Sequence, residues 1–111
     1  MQINITVSLD KHNKPVCSPD PVTVNTTGAV VLQWQVASNS SISAITAISG
    51  LPGTVFNPPP TAHASNPKIW TSTDNASPAT NGTYKYDISV RLSNGSVVTQ
   101  DPEVINDSPA R

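Results

Sequence analysis

The chain has few charged residues, few aromatic residues and a single cysteine. Only 12% of its 111 residues are charged, with six Lys and Arg against seven Asp and Glu. The cations are scattered along the sequence, whereas nucleic acids and anionic membranes attract clusters of Lys and Arg. We therefore expect neither a nucleic-acid partner nor a membrane partner.

Cys17 has no second cysteine with which to form an intrachain disulfide. No stretch approaches the run of about 20 apolar residues that spans a bilayer as a helix. The first ten residues, MQINITVSLD, alternate from the start and lack the basic and apolar regions of a secretory signal. If Met1 is the natural start, this pattern predicts a cytoplasmic protein; the compartment is otherwise undetermined.

What the sequence does contain is apolar residues at every second position, which is the period of half-buried strands. The pattern runs through QINITVSL, VTVNTTG, AVVLQWQV and most clearly GTYKYDISVRL. We expect Trp34 to lie in the core. In SISAITAISG the isoleucines recur every third residue, but β-branched residues and few helix formers favour a strand there.

The segment SNGS near the end of the chain predicts a tight hairpin, with Asn94 and Gly95 in a type I′ turn. No segment has the pattern of an ordinary helix. The sequence therefore predicts one domain over residues 1–111, an all-β antiparallel Greek-key sandwich of about seven or eight strands.

Two runs resemble each other, DPVTVN from Asp20 and DPEVIN from Asp101. Proline cannot donate to a strand ladder, so Pro21 and Pro102 are expected at strand starts or edges. Each Asp can bond nearby backbone as the chain turns. The second run also carries Glu103, and Asp107 follows it, which leaves calcium binding open if Asp20 lies nearby.

The segments PDPVTVNTTGAVVLQWQV and NGTYKYDISV resemble corresponding strands of the cupredoxins, and immunoglobulin-like domains share both patterns. The cupredoxin resemblance would imply a copper site, but Ile88 stands where that family has its copper-binding Cys. No His or Met follows in SVRLSNGSVVTQ, whereas a blue-copper site needs two imidazoles and a thiolate. The resemblance thus predicts the fold without the metal, and we expect no cofactor.

The short Asp-Pro-rich chain also resembles the DP-EP family of uncharacterised bacterial proteins. That resemblance implies no known activity. The residues themselves contain no nucleophile-elbow glycines and no local catalytic signature around the serines, His12 or His63. We therefore expect a protein that is not an enzyme.

Three residues are candidates for binding a ligand: Trp70, Phe56 and Asn75. An exposed Trp beside polar residues can stack on a sugar ring or anchor a partner; the alternative is that Trp70 packs in the core. The leading hypothesis is a non-catalytic binding or assembly module that contacts a protein partner or associates with itself, as a homodimer, through edge strands. The alternatives are carbohydrate recognition through Trp70 and, third, calcium binding.

Overall fold

The computed structural model describes residues 1–38 and 40–109, and its regular structure is almost entirely β. In the described part, a 3-10 helical turn at Pro78–Thr80 is the only helical segment. The strands are β1 (Gln2–Leu9), β2 (Pro15–Ser18), β3 (Val22–Val24), β4 (Gly28–Val36), β5 (Ile42–Ser49), β6 (Thr61–His63), β7 (Asn66–Ala76), β8 (Gly82–Lys85), β9 (Asp87–Leu92), β10 (Val97–Gln100) and β11 (Glu103–Asn106).

The strands form one five-stranded sheet, in the order β2-β1-β4-β7-β6, and two three-stranded sheets, β10-β9-β5 and β3-β11-β8. β8 directly precedes β9, and β11 directly follows β10. The same two chain segments therefore form a strand pair first in one small sheet and then in the other. Buried apolar residues from all three sheets form one core cluster. This arrangement confirms the all-β, sandwich-like class. More strands exist than expected because extended segments divide where they change sheets.

Two of the three sheets are mixed, so the expectation of a purely antiparallel sandwich needs correction. β1 runs parallel to β4, and β3 runs parallel to β11. The other strand pairs are antiparallel. The parallel pair β1–β4 arises because β2 turns back on β1 and β3 then leaves for another sheet. The chain thus returns to the five-stranded sheet in the original direction.

Both Asp-Pro pairs lie where the chain leaves one sheet and enters another. Asp20 and Pro21 separate β2 from β3, and Asp101 and Pro102 separate β10 from β11. Each proline directly precedes its strand, as expected from its missing N–H. The two corners also touch, because the backbone N–H of Glu103 donates to Oδ1 of Asp20 at 3.1 Å. The repeated Asp-Pro pair therefore marks the two places where the chain passes from one sheet to another.

The similarity of the two runs does not extend to their pairing. β3 and β11 lie side by side with Val22 opposite Val104 and Val24 opposite Asn106. The sequence match would instead place Asn25 opposite Asn106, one residue out of step. Because side chains alternate along a strand, this offset puts the equivalent residues on opposite faces. Asn25 is exposed and Asn106 is buried as a result.

The third-residue spacing of isoleucines in β5 comes from two bulges in a strand. Ile42, Ile45 and Ile48 face Leu92, Val90 and Ile88 of β9, and the register shifts once between each pair of isoleucines. Each bulge adds one residue to β5, which turns a spacing of two into a spacing of three. The hydroxyls of Ser43 and Thr46 donate to the carbonyls of Arg91 and Ser89 at 3.1 and 3.2 Å. The strand prediction for this segment is confirmed.

The hairpin between β9 and β10 exists, but its turn is not type I′. Gly95 has a positive φ of 91°, whereas Asn94 does not, and a type I′ turn requires both. The N–H of Gly95 donates to the carbonyl of Leu92, so the turn is a three-residue loop with glycine at the bulge position. The cause is Ser93, whose N–H and hydroxyl both bond the carbonyl of Ser41 instead of joining the ladder.

Candidate functional site

Trp70 is half-buried against the core rather than presented as an open surface. It lies opposite Trp34 in the β4–β7 pair, so both indoles lie on the inner face of the sheet. Its Nε1–H donates to the carbonyl of Ile45 in β5 at 3.1 Å. The indole thus caps the edge of β5 and holds two sheets together. Trp34 is fully buried, as expected for that residue.

Phe56 and Asn75 occupy different environments. Phe56 is completely buried and packs edge-on against Tyr84 with ring centroids 5.4 Å apart. Its ring therefore cannot contact a ligand at the surface in this structure, because it fills the core beneath β7. Asn75 is exposed, but its Nδ2 donates to the carbonyls of Val55 and Asn57 at 3.1 and 3.2 Å. Its amide is occupied in fixing a neighbouring segment.

The structure does not bring the three candidates together. Trp70 and Asn75 are five residues apart on β7, so they lie on opposite faces of the strand. The segment 55–58, which contains Phe56, runs along the open edge of β7, where Thr73 and Asn75 bond its backbone. The proline-rich loop that follows covers this edge of the sheet, and the carbonyl of Pro58 accepts the hydroxyl of Ser72 at 2.8 Å.

The side chains that commonly ligate metals are dispersed over the described part of the chain, although the Ser65 hydroxyl lies 3.3 Å from Nδ1 of His63 on the surface. Among the described residues, no three His, Cys, Asp or Glu side chains lie close enough to hold a metal ion. His12 follows β1 and His63 ends β6, so three strand spacings of about 4.8 Å separate those strands. Burial raises the pKa of Cys17 to about 11, which keeps it as an unreactive thiol at neutral pH. Asp20 does lie beside Glu103, but its carboxylate is bonded to backbone.

The described surface does contain one depression in which three connections meet at the end of the sandwich. These are the loop from β1 to β2, the connection from β4 to β5 and the turn from β9 to β10. The depression encloses about 250 Å³ and is lined by Leu9, Asn13, Ser41, Leu92, Ser93 and Asn94. We call it the loop-end pocket. A second hollow of about 340 Å³ adjoins it and shares Leu9, Asn13 and Ser41.

Hydrogen bonds fix the walls of the loop-end pocket. Oδ1 of Asp10 accepts the backbone N–H groups of His12 and Lys14 at 2.8 and 3.0 Å, which orders the loop from β1 to β2. These bonds, from Lys14 first and then His12, lower the pKa of Asp10. In the same loop Asn13 has a φ of 60°, a conformation that Asn tolerates better than most residues. The loop is therefore held in one shape.

The opposite wall is also tied down. Ser93 bonds the carbonyl of Ser41 at 2.8 Å through both its N–H and its hydroxyl, which joins the turn to the β4–β5 connection. Oδ1 of Asn94 accepts the N–H of Ser96 at 2.9 Å, which leaves Nδ2 of Asn94 available as a donor. Two leucines supply apolar surface, and none of the lining residues carries a charge. The chemistry of the pocket is that of neutral hydrogen-bonding ligands.

Sequence reasoning missed this pocket for a topological reason. Each of its loops has a recognisable turn signal, namely DKHNK, SNSS and SNGS. The signals say that the chain turns but not that the turns share one end of the sandwich. That depends on β1 and β4 being parallel and on β9 reaching Ser41 through Ser93. A purely antiparallel arrangement would have distributed the turns differently.

A scan against known protein families finds no matching family model, and a search of curated proteins finds no similar chain. No helix among the described residues has the length and apolar character needed to cross a membrane.

Proposed function

We propose that this protein is a non-catalytic binding module whose ligand site is the loop-end pocket. The observation that carries the proposal is a preformed, uncharged concavity built by three connections, one of which is ordered by its own hydrogen bonds while the other two bond to each other. Binding residues often lie on loops that a rigid β scaffold positions. The dispersed histidines and the raised pKa of Cys17 support a role without catalysis.

The pocket suits a small neutral ligand. Its volume of about 250 Å³ lies below the range of about 300–1,000 Å³ typical of drug-sized ligands. It offers amide and hydroxyl groups from Asn13, Asn94 and Ser41 beside the apolar surface of Leu9 and Leu92. A sugar ring has matching hydroxyls and C–H faces. We therefore retain carbohydrate recognition but place it at the loop-end pocket.

The test is a titration of ¹⁵N-labelled protein with glucose, galactose, mannose and N-acetylglucosamine. We expect amide shifts at Asn13, Ser41 and Asn94, because these residues would contact the sugar. Asn13→Gly keeps the positive φ and removes the amide, so affinity should fall about 5- to 10-fold, the worth of one hydrogen bond. Asn75→Ala, far from the pocket, is the control and should bind normally.

Two outcomes count against this site. Amide chemical-shift changes confined to residues around Trp70 would indicate that the sugar binds at the indole, which is the alternative that the sequence predicted. The absence of shifts with all four sugars, with the protein folded, would remove saccharides as ligands of the pocket.

A second candidate function is assembly through the corner where β2 lies against β10. Val16 of β2 is 39% exposed and Val97 of β10 is 54% exposed, and among the described residues only Met1 joins them as an exposed large hydrophobic side chain. The edge strand β10 carries neither proline nor charge, and no indole caps it among the described residues. A sheet edge without such protection favours pairing with a strand of another chain. We propose that β10 pairs with a second copy of this protein.

Val97→Lys tests the assembly proposal by placing a charge on the open edge. If copies pair there, the wild type should sediment as a dimer and the variant as a monomer, because a buried lysine opposes strand pairing. Lys85→Ala on β8 provides a control substitution at a different edge. A wild type that stays monomeric at high concentration would contradict assembly while leaving the pocket proposal intact.

We also propose the finer fold relationship, a Greek-key sandwich of cupredoxin-like or immunoglobulin-like type, together with membership of the bacterial DP-EP group. The buried Trp34 and the Tyr-rich segment at β8 and β9 support the proposed fold relationship. Ile88 at the position of the cupredoxin Cys is fully buried, in keeping with a fold that uses the site for packing.

A further inference from the structure

Two polar side chains meet inside the core between the five-stranded sheet and the sheet of β3, β11 and β8. Asp74 of β7 is 0% exposed and Asn106, at the end of β11, is 2% exposed. Nδ2 of Asn106 donates to Oδ1 of Asp74 at 2.8 Å. The contact ties the two sheets together beside the apolar core, and the buried Ser72 and Ser108 each lie two residues away along the chain.

The remaining oxygen of each side chain has no partner. Within the described residues, Oδ2 of Asp74 and Oδ1 of Asn106 are buried and accept no hydrogen bond. A buried polar group without a partner destabilises the folded state, and a charged one does so more strongly. If Asp74 were ionised, two acceptors would lie in the interior without a donor. One proton on Oδ2 supplies the donor that this pair lacks.

Among residues 1–38 and 40–109, no charged side chain lies close enough to stabilise an ionised Asp74. Two segments flank Asp74 on either side of β7, namely β4 and residues 55–57. Neither contains a titratable side chain, and β3, which pairs with β11 beside Asn106, contains none either. On β8 and β11 the titratable groups are Tyr84, which donates to the carbonyl of Thr80, and Lys85 and Glu103, which pair with each other at 4.0 Å. That pair lies three residues along the strands from Asn106, about 10 Å away. Asp107, next to Asn106, is exposed.

We propose that Asp74 carries a proton on Oδ2 and donates it to Oδ1 of Asn106, so that the two side chains form a carboxylic acid–amide pair with two hydrogen bonds. Deprotonation removes one of these bonds and leaves a charge in the core. The contact between β7 and β11 is therefore a pH-sensitive link between the sheets. This inference is independent of the proposed binding function.

The direction of the pH effect follows from burial. Burial raises the pKa of Asp74, and the donor from Asn106 partly opposes that rise. In the unfolded chain an Asp titrates near its ordinary pKa of about 3.9. The contribution to stability is therefore complete below that pH and is lost as the pH rises through the folded-state pKa. Between the unfolded-state pKa and the folded-state pKa, each pH unit lowers the folding equilibrium constant by up to about tenfold from this group alone, and above the folded-state pKa the group adds no further pH dependence.

The proposal is tested by following the side-chain carboxyl carbon of every Asp and Glu by ¹³C NMR across a pH titration of the wild type. Asp74 should titrate at higher pH than the exposed acids. Urea unfolding of Asp74→Asn is the second measurement, because its amide can donate to Oδ1 of Asn106 at any pH. This variant should lose the extra pH dependence and be more stable than the wild type at alkaline pH. Asp87→Asn, an exposed acid, is the control and should keep the wild-type profile.

Either of two results would overturn the proposal. One is an Asp74 carboxyl that titrates together with the exposed acids. The other is an Asp74→Asn variant that folds but is less stable than the wild type above the pKa measured for Asp74. If the variant does not fold, the titration of the wild type decides alone.

Discussion

Replacing Trp34 by alanine is expected to lower the free energy of unfolding by about 3–5 kcal/mol, as large core truncations do. Trp34 is fully buried in β4, which lies in the middle of the five-stranded sheet. Its Nε1–H donates to the Tyr86 hydroxyl at 3.0 Å, and the two rings meet edge-on with centroids 5.7 Å apart. The substitution creates a cavity and leaves a buried phenol without this donor.

The Tyr86 hydroxyl makes this loss larger than that of packing alone. Burial is the main cause that raises the pKa of Tyr86 well above its ordinary value, so the phenol stays protonated. Removing the indole takes a donor away from this buried neutral hydroxyl and leaves the Cys17 side chain as its neighbour. A buried polar group that loses its partner costs up to about 1–3 kcal/mol. Because net stabilities are only about 5–15 kcal/mol, Trp34→Ala should bring the domain near its folding limit.

Trp70→Ala is the matched control for Trp34→Ala, since the two residues face each other on adjacent strands. Trp70 keeps part of its ring in water and makes one hydrogen bond, to Ile45. We expect Trp70→Ala to lower the free energy of unfolding by about 1–2 kcal/mol, because Trp70 buries less apolar area than Trp34. Urea unfolding followed by far-ultraviolet circular dichroism measures both variants without depending on tryptophan emission. A larger loss for Trp70→Ala than for Trp34→Ala would contradict their assigned environments.

Replacing Phe56 by alanine is expected to cost about 3–5 kcal/mol for the same physical reason. Phe56 is completely buried and forms a bridge with Asp74 at the open edge of β7. Its ring anchors the segment that Thr73 and Asn75 bond through their backbones. Losing the anchor weakens the cover over β7 as well as the packing against Tyr84.

Phe56→Leu separates the packing contribution from a requirement for an aromatic ring. A residue of similar volume should cost less than about 1.5 kcal/mol, because core sites tolerate such exchanges after repacking. Chemical denaturation of the three proteins gives the comparison. If Phe56→Ala left stability unchanged within about 0.5 kcal/mol, the range of neutral surface substitutions, the ring would not be a core residue. A role for Phe56 in ligand contact would then have to be reconsidered.

Local patterns in the sequence predicted most of the strands. Alternation over GTYKYDISVRL placed Tyr84, Tyr86, Ile88, Val90 and Leu92 on one face; the last four are buried and Tyr84 is half-buried. The pattern remained valid even though the segment divides at Tyr86, whose N–H bonds the carbonyl of Pro102. Inward and outward faces are set by side-chain alternation, which does not depend on which strand lies alongside. Strand partners are set by other parts of the chain.

The candidate site shows where such local reasoning fails. Asn94 and Gly95 correctly indicated a hairpin, but the predicted turn type was wrong. Ser93 donates two hydrogen bonds to the carbonyl of Ser41, which is distant in sequence, and the turn differs as a result. Trp70 and Phe56 looked alike as aromatic residues beside polar neighbours, yet one is half-buried and the other fully buried. Nothing within a few residues of either distinguishes them, because burial depends on which strands pack above them.

The sequence by itself determined an all-β chain, the burial of Trp34, the start of a strand directly after Pro21 and after Pro102, and the absence of clustered charge. These properties depend on alternation, on the missing N–H of proline and on composition, all of which act locally. Only the tertiary structure decided the parallel pairings, the convergence of three loops on one pocket and the meeting of Asp74 with Asn106. Those features join residues far apart in the chain, and their formation depends on the packing of whole sheets.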